Sequence, residues 1–307
     1  MPTSTLLLSL LAAAPGPVQD SPRPAPYPID APVRDRGVFH VATGRWLRGS
    51  PDAASGSEVL YNNSLLSGLI QPLGEDDDAN PIGMFDTGRV PSTSSPSSSI
   101  SVTGTADAYT VDCFRVSYCS ALTGLSQGLV AEFEFYGEYA PCTDVDDPSA
   151  PPTLLSFVTT GLPAGTATGG FACWTIAFDL SGSSMEFTLQ GDADGVYDGD
   201  PDLDSFGWGM RFLNVSGPSS THLTGVSLAG QCPPGGPGTP TTPQQGFGTT
   251  FGGVPGAPDA TGLGSDDLFW FDAAGFGSGL NGVCVNYGPC GGFGANPYAS
   301  FYLQLFG

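Results

Sequence analysis

The stretch Cys173-Trp-Thr-Ile-Ala-Phe-Asp-Leu180 alternates large apolar residues with small or polar ones at a period of two. Successive side chains of a β-strand point to opposite faces, so Trp174, Ile176 and Phe178 share one face of an extended chain. This period, rather than the helical 3.6, predicts a β-strand with one buried face.

The same alternation recurs along the chain, at residues 131–135, 185–190, 206–213 and 301–305. Further strands are predicted at 37–42, 58–61, 108–120, 153–159, 223–228, 268–272 and 283–287. Each sheet of such a protein buries one face and exposes the other. We therefore predict an all-β fold, a two-sheet antiparallel sandwich of jelly-roll or Greek-key type with long Gly/Pro-rich loops.

Composition divides the chain into segments, because its 45 glycines and 29 prolines concentrate between the predicted strands. The predicted segments are a signal peptide at 1–14, a proline-rich leader at 15–36, an N-terminal β segment or small lobe at 37–90, a Ser/Pro-rich spacer at 91–101, and the main sandwich at 102–307, interrupted by a Gly/Pro-rich loop at 232–265. The short apolar run ending in small residues is typical of an export signal. We expect an exported protein, outside the cell or on its surface, without membrane insertion after signal removal.

Charge excludes some partners. All eight basic residues are arginine, against 30 acidic residues, which gives a net charge of −22. Nucleic acid binding depends on lysine and arginine that displace condensed counterions, so a nucleic acid partner is not expected. Anionic membrane surfaces are disfavoured for the same reason.

Seven cysteines indicate disulfides in an oxidising compartment. Cys113 and Cys119 fall on one predicted strand, about 20 Å apart at roughly 3.3 Å per residue, so they cannot pair with each other. Cys142 and Cys173 are candidate partners for them. The remaining predictions are a local loop closed by Cys284 and Cys290, and a left-over Cys232.

An acidic loop separates two of the predicted strands: Gly191-Asp-Ala-Asp-Gly-Val-Tyr-Asp-Gly-Asp-Pro-Asp-Leu-Asp204. It contains six aspartates and no cation: Asp192, Asp194, Asp198, Asp200, Asp202 and Asp204. Crowded carboxylates repel one another, and a hard divalent ion with oxygen ligands relieves that repulsion. We predict a Ca2+ site here; the alternative is a solvated hairpin tip.

The loop lacks the spacing of an EF-hand, which requires a glutamate twelve positions from the first aspartate and a helix on each side. Its Asp-x-Asp-Gly run at 192–195 is similar to those of thrombospondin type 3 and related extracellular calcium segments. That resemblance covers one loop and implies an extracellular calcium ligand set. A second acidic run at 75–78 lacks glycine spacing and is predicted to be solvated.

Two patterns in the sequence are typical of catalytic sites. Residues 124–128 form a G-x-S-x-G sequence, but Leu129 onward alternates as a strand, so Ser126 is predicted to lie in a hairpin turn rather than a nucleophile elbow. Glu132 and Glu134 point to the same face of one strand, as the acid and nucleophile of jelly-roll glycoside hydrolases do. The alternative is an ordinary wet sheet face, with Phe133 on the opposite side.

Three functions remain open on these residues. The first is a non-catalytic structural or adhesive component outside the cell, stabilised by calcium, with other envelope proteins or glycans as partners. The second is a carbohydrate-binding module that stacks sugars on exposed rings, with Trp270 and Tyr136 as candidates. The third is a glycoside hydrolase that uses Glu132 and Glu134. No catalysis is expected under the first two.

Overall fold

The structure is a computed structural model that describes residues 27–29, 31–47, 59–64, 66–73, 81, 83–88, 90, 108–137, 152–166, 170–191, 206–216, 223–229, 268–272, 283–286 and 300–307. Within these ranges the chain forms strands and one 3-10 turn, Val41–Thr43. The strands are β1 Tyr27–Pro28, β2 Val33–His40, β3 Arg45–Leu47, β4 Val59–Asn63, β5 Leu66–Pro72, β6 Gly83–Gly88, β7 Ala108–Val111, β8 Cys113–Ser120, β9 Leu129–Tyr136, β10 Thr153–Leu162, β11 Ala172–Asp179, β12 Phe187–Gln190, β13 Phe206–Phe212, β14 Thr224–Ala229, β15 Leu268–Asp272, β16 Val283–Asn286, β17 Ser300–Phe301 and β18 Leu303–Phe306.

The strands form two large sheets. Sheet one has the order β1-β5-β14-β8-β11-β2-β3, with β17 on β14 and β18 between β8 and β4. Sheet two has the order β10-β9-β13-β6-β15-β16. The small pair β7–β12 adjoins them. Every described pair is antiparallel except β2 with β11, which run parallel. Strands from the segment 37–90 pair with strands beyond residue 102 in both sheets.

Aromatic side chains fill the space between the sheets. Phe114 and Phe178 of sheet one are fully buried against Phe133, Phe135 and Phe157 of sheet two. Phe114 lies at the centre, with ring centroids 5.0 Å from Phe135, 5.4 Å from Phe133 and 5.9 Å from Phe157. Such pairs add about 0.5–1.5 kcal/mol each beyond area burial. The predicted all-β sandwich is therefore confirmed.

Residues 173–179 form most of β11, as their period of two predicts. Ile176, Phe178 and Leu180 are fully buried, and Trp174 packs partly buried against the same core. The predicted strand 108–120 divides at Asp112 into β7 and β8, because β7 pairs with β12 while β8 lies inside sheet one. Asp112 bonds neighbours through both backbone groups, accepting from Leu180 and donating to Phe306.

Candidate functional site

The outer face of sheet two carries the predicted glutamate pair. Alternation along β9 buries Phe133 and Phe135 completely, while the side chains of Glu132 and Glu134 on the other face retain 23% and 16% exposure. The prediction that Phe133 lies on the opposite face is confirmed. The pair is half-buried rather than fully solvated.

Arg211 of β13 contacts both carboxylates. It is the cross-strand neighbour of Glu132, and Gly209 is the neighbour of Glu134. The Arg211 Nε atom lies 3.2 Å from Oε2 of Glu132, and its Nη2 atom donates to Oε2 of Glu134 at 2.8 Å. The three side chains form one cluster, here called the Arg211 cluster, which ties β9 to β13.

The electrostatics of the cluster are set by partial burial. Burial raises the pKa of the Glu132 carboxyl above its ordinary value, the positive charge of Arg211 opposes that rise, and the negative charge of Glu134 adds to it. Three ionised groups in the cluster sum to one negative charge. Because the pKa of Glu132 is raised despite the guanidinium, Arg211 offsets only part of the cost of holding two acids side by side.

A glycoside hydrolase of the retaining type needs one protonated carboxyl and one ionised carboxylate about 5 Å apart, with the sugar between them. In the Arg211 cluster a single guanidinium contacts both groups, and its charge favours ionised carboxylates. The guanidinium lies beside one Oε2 atom of each carboxylate, at 3.2 Å and 2.8 Å. The geometry fits an ion-pair network that links two strands better than it fits an acid and nucleophile pair.

Two aromatic rings lie beside the cluster. Tyr136 is buried, with 4% exposure, and its ring centroid is 6.0 Å from that of Phe85. Phe85 lies over Gly209, where an added Cβ would collide with the ring, and 5.8 Å from the guanidinium of Arg211. The prediction that Tyr136 is exposed for sugar stacking is wrong, because Phe85 supplies a partner ring across the glycine.

Other predicted site residues lie outside the described residues. These include all six loop aspartates, Asp192, Asp194, Asp198, Asp200, Asp202 and Asp204, and the acidic run 75–78. Trp270 lies in β15, where its backbone is opposite that of Phe85, and its side chain is outside the described part of the structure. Among the residues that the structure describes, no group of three His, Cys, Asp or Glu side chains is placed to hold a metal ion.

The strands that flank the acidic loop are described. β12 ends at Gln190 and pairs with β7, whereas β13 begins at Phe206 and pairs with β6 and β9. The loop therefore connects strands that are not partners of each other. Its interpretation as a hairpin tip is not supported by this pairing.

Ser126 lies in a turn, as predicted. The Gly128 N–H bonds the Leu125 carbonyl at 3.1 Å, and β9 follows directly, with no helix after the serine. His40 is the histidine in the described residues. Its Nδ1 atom shares a hydrogen bond of 3.0 Å with the Thr43 hydroxyl, and its Nε2 atom lies 3.9 Å from Oδ2 of Asp179. The turn at Ser126 connects β8 of sheet one to β9 of sheet two, which do not pair, so the predicted hairpin is wrong. A strand rather than a helix follows the serine, which is not the setting of a nucleophile elbow.

Cys119 and Cys173 form a disulfide across neighbouring strands. They are direct partners in the antiparallel pair β8–β11, and both are buried. Cys119 thus pairs with one of its two predicted candidates rather than with Cys113 of its own strand. Cys142, Cys232 and Cys290 lie outside the described residues.

Comparisons with known proteins supply no family for this arrangement. No protein-family model, curated protein or solved structure matches the chain. Within the described ranges, none of the helical structure is long and apolar enough to cross a membrane.

Proposed function

We propose that the protein is an exported, non-catalytic β-sandwich that serves as a structural or adhesive component at the cell surface or outside the cell, stabilised by calcium. The observation that carries the proposal is the disulfide between Cys119 and Cys173, which links β8 to β11. Such bonds persist in oxidising compartments, which agrees with the apolar start of the sequence.

The Arg211 cluster supports the non-catalytic part of the proposal. Both candidate catalytic glutamates contact one guanidinium, which serves strand pairing without any substrate. The alternative of sugar stacking has less support, since the described candidate ring, Tyr136, is packed against Phe85. The glycosidase and the carbohydrate-binding module are therefore the weaker proposals.

Calcium is proposed for the acidic loop on its sequence and on the strands around it. Six aspartates without a cation lie between β12 and β13, which have different pairing partners. An ion held there would restrain the connection between those strands. Extracellular calcium modules have dissociation constants of about 0.1–1 mM, so the ion is expected to bind at millimolar concentrations.

The test is thermal unfolding of the mature chain in excess chelator and in calcium, at matched ionic strength. At a hundredfold excess over the dissociation constant, binding to the folded state alone adds about 2.7 kcal/mol. We expect a higher melting temperature in calcium, and loss of that increase when Asp192, Asp194, Asp198 and Asp200 are changed to asparagine.

The matched control neutralises an equal number of acids at 75–78, with Glu75→Gln and asparagine at the three aspartates that follow. This variant is expected to keep the full response to calcium. Equal melting of the wild type in chelator and calcium would refute the calcium site. Recovery of the protein from the cytoplasm in reduced form would refute export.

A further inference from the structure

The hairpin of β2 and β3, at the edge of sheet one, concentrates positive charge. Residues 31–47 contain Arg34, Arg36 and Arg45 and a single acid, Asp35. Their formal charges sum to +2, which leaves −24 for the rest of a chain whose total is −22. Positive charge is therefore concentrated in this hairpin, in a chain that is otherwise strongly acidic.

The three arginines are exposed, and none forms an ion pair with an acid in the part of the chain that the structure describes. Asp35 forms its ion pair with Arg115 of β8, at 2.9 Å, and accepts a hydrogen bond from the Gly37 N–H of its own hairpin at 2.8 Å. Among the described residues, no carboxylate lies within 4.0 Å of Arg34, Arg36 or Arg45. No acid of the described ranges neutralises this charge, which can therefore act on another molecule.

Two of the guanidinium groups are held over indole rings. Arg36 lies 4.7 Å from the ring centroid of Trp46, and Arg34 lies 5.7 Å from that of Trp174. Trp46 is itself fixed by an edge contact with Phe39, at 5.3 Å. A guanidinium placed on a ring keeps its N–H groups free, and these match a planar carboxylate in two parallel hydrogen bonds.

The same hairpin presents a sheet edge. β3 ends the strand order of sheet one, and it pairs only with Val38, Phe39 and His40 of β2. In the described part of the chain, the first residues of β2 are therefore paired only on their β11 side. Val33 and Leu47 add apolar surface, with 37% and 41% exposure. An edge of this kind accepts an added strand through backbone hydrogen bonds.

We propose that the hairpin of β2 and β3 docks an acidic segment of a second copy of the same chain, so that copies join head to tail. A second copy presents the complementary charge, because the remainder of the chain carries −24. The two contacting surfaces differ, so the contact can repeat from copy to copy. The inference rests on the proposed structural role, which it deepens by naming the partner.

Overall repulsion between acidic copies is the opposing effect. At about 0.15 M salt the Debye length is about 8 Å, so repulsion between distant charges is screened while carboxylates in contact with Arg34 and Arg36 are still attracted. Association is therefore expected to be strongest near this ionic strength and to weaken at about 1 M salt. A purely apolar contact would instead strengthen with salt.

The experiment is sedimentation velocity over a concentration series, in chelator, so that it does not depend on calcium. Arg34→Gln with Arg36→Gln is compared with Arg23→Gln with Arg89→Gln, which gives the same net charge by changes outside the hairpin. We expect the first variant to raise the dissociation constant of the self-associated form roughly tenfold, which is the effect of losing two exposed ion pairs. The control variant should associate as the wild type does.

Two further variants keep the test decisive if the first is unstable. Lysine at positions 34 and 36 keeps the charge but loses the paired hydrogen bonds, so association should be intermediate. Arg45→Gln removes a hairpin charge that has no described ring contact and should also weaken association. A wild type that stays monomeric at every concentration, or equal association of the hairpin and control variants, would overturn the proposal and leave the calcium test untouched.

Discussion

Arg211→Met is the substitution that best separates a structural from a catalytic reading of the Arg211 cluster. Methionine retains an unbranched stem but removes the cation that contacts Glu132 and Glu134. Exposed ion pairs contribute under about 1 kcal/mol, and removing one partner of a buried pair costs about 3–5 kcal/mol. With both acids less than a quarter exposed, we expect a loss of about 2–4 kcal/mol in the free energy of unfolding.

The loss should depend on pH. Without Arg211, the pKa of Glu132 rises further, since burial and Glu134 already raise it and Arg211 opposes them. A carboxyl whose folded pKa is raised contributes stability below its unfolded pKa, and that contribution is lost as the pH rises through the folded pKa. The variant should therefore be most destabilised at neutral pH and approach the wild type at about pH 4.

Urea unfolding at neutral and acidic pH measures the effect. The matched control is Arg211→Met combined with Glu132→Gln and Glu134→Gln, which removes the repelling charges together with the cation. This triple variant should recover most of the lost stability at neutral pH. Equal stability of Arg211→Met and the wild type, or no recovery in the triple variant, would refute the proposal that the cluster stabilises the pairing of β9 with β13.

Three other predictions follow from described contacts. Changing both Cys119 and Cys173 to alanine opens a link with a sequence separation of 54 and should cost about 4 kcal/mol in urea unfolding; an unchanged midpoint would contradict it. Gly225→Ala should cost more than about 2 kcal/mol, because the added Cβ collides with the backbone of β5, whereas Gly137→Ala meets only ordinary contacts at 3.6 Å and should melt like the wild type. Glu132→Gln should flatten the fall in stability between about pH 4 and 7, since glutamine cannot ionise; a parallel pH profile would count against the raised pKa of Glu132.

Strands with large apolar residues at every second position could be predicted from the sequence. β11 and β13 are of this kind, and their inward residues form the core. β5 and β6 were missed, because Leu66–Pro72 and Gly83–Gly88 contain glycine or proline that weakens the strand pattern. Their extended conformation depends on long-range pairing with β14 and β13, which local sequence does not encode.

The candidate site could be predicted only in part, for a similar reason. Period two along β9 places Glu132 and Glu134 on one face, and this needs no knowledge of the fold. Arg211 lies 77 residues beyond Glu134, and only the register of β13 on β9 brings them together. A signal was present, since Arg211 is the one cation among alternating aromatic and glycine residues at 206–212. Tyr136 was misjudged because its cover, Phe85, lies on a strand that was not predicted.

The disulfide and the Arg211 cluster each join strands within one sheet, whereas the two sheets are joined mainly by packing. The disulfide of Cys119 with Cys173 lies on the face of sheet one opposite Phe114, and Arg211 binds its two acids on the face of sheet two opposite Phe133. Contacts between the sheets are mainly aromatic, with a buried hydrogen bond from the Phe301 N–H of sheet one to the Asp86 carboxylate of sheet two at 3.1 Å. Separation of the sheets is therefore the expected first step of unfolding, since it breaks no covalent bond and no ion pair of the Arg211 cluster. Backbone amides of β8 and β11 should exchange with solvent later than the loss of near-ultraviolet circular dichroism from the core rings, and the reverse order would show that the packing outlasts the sheets.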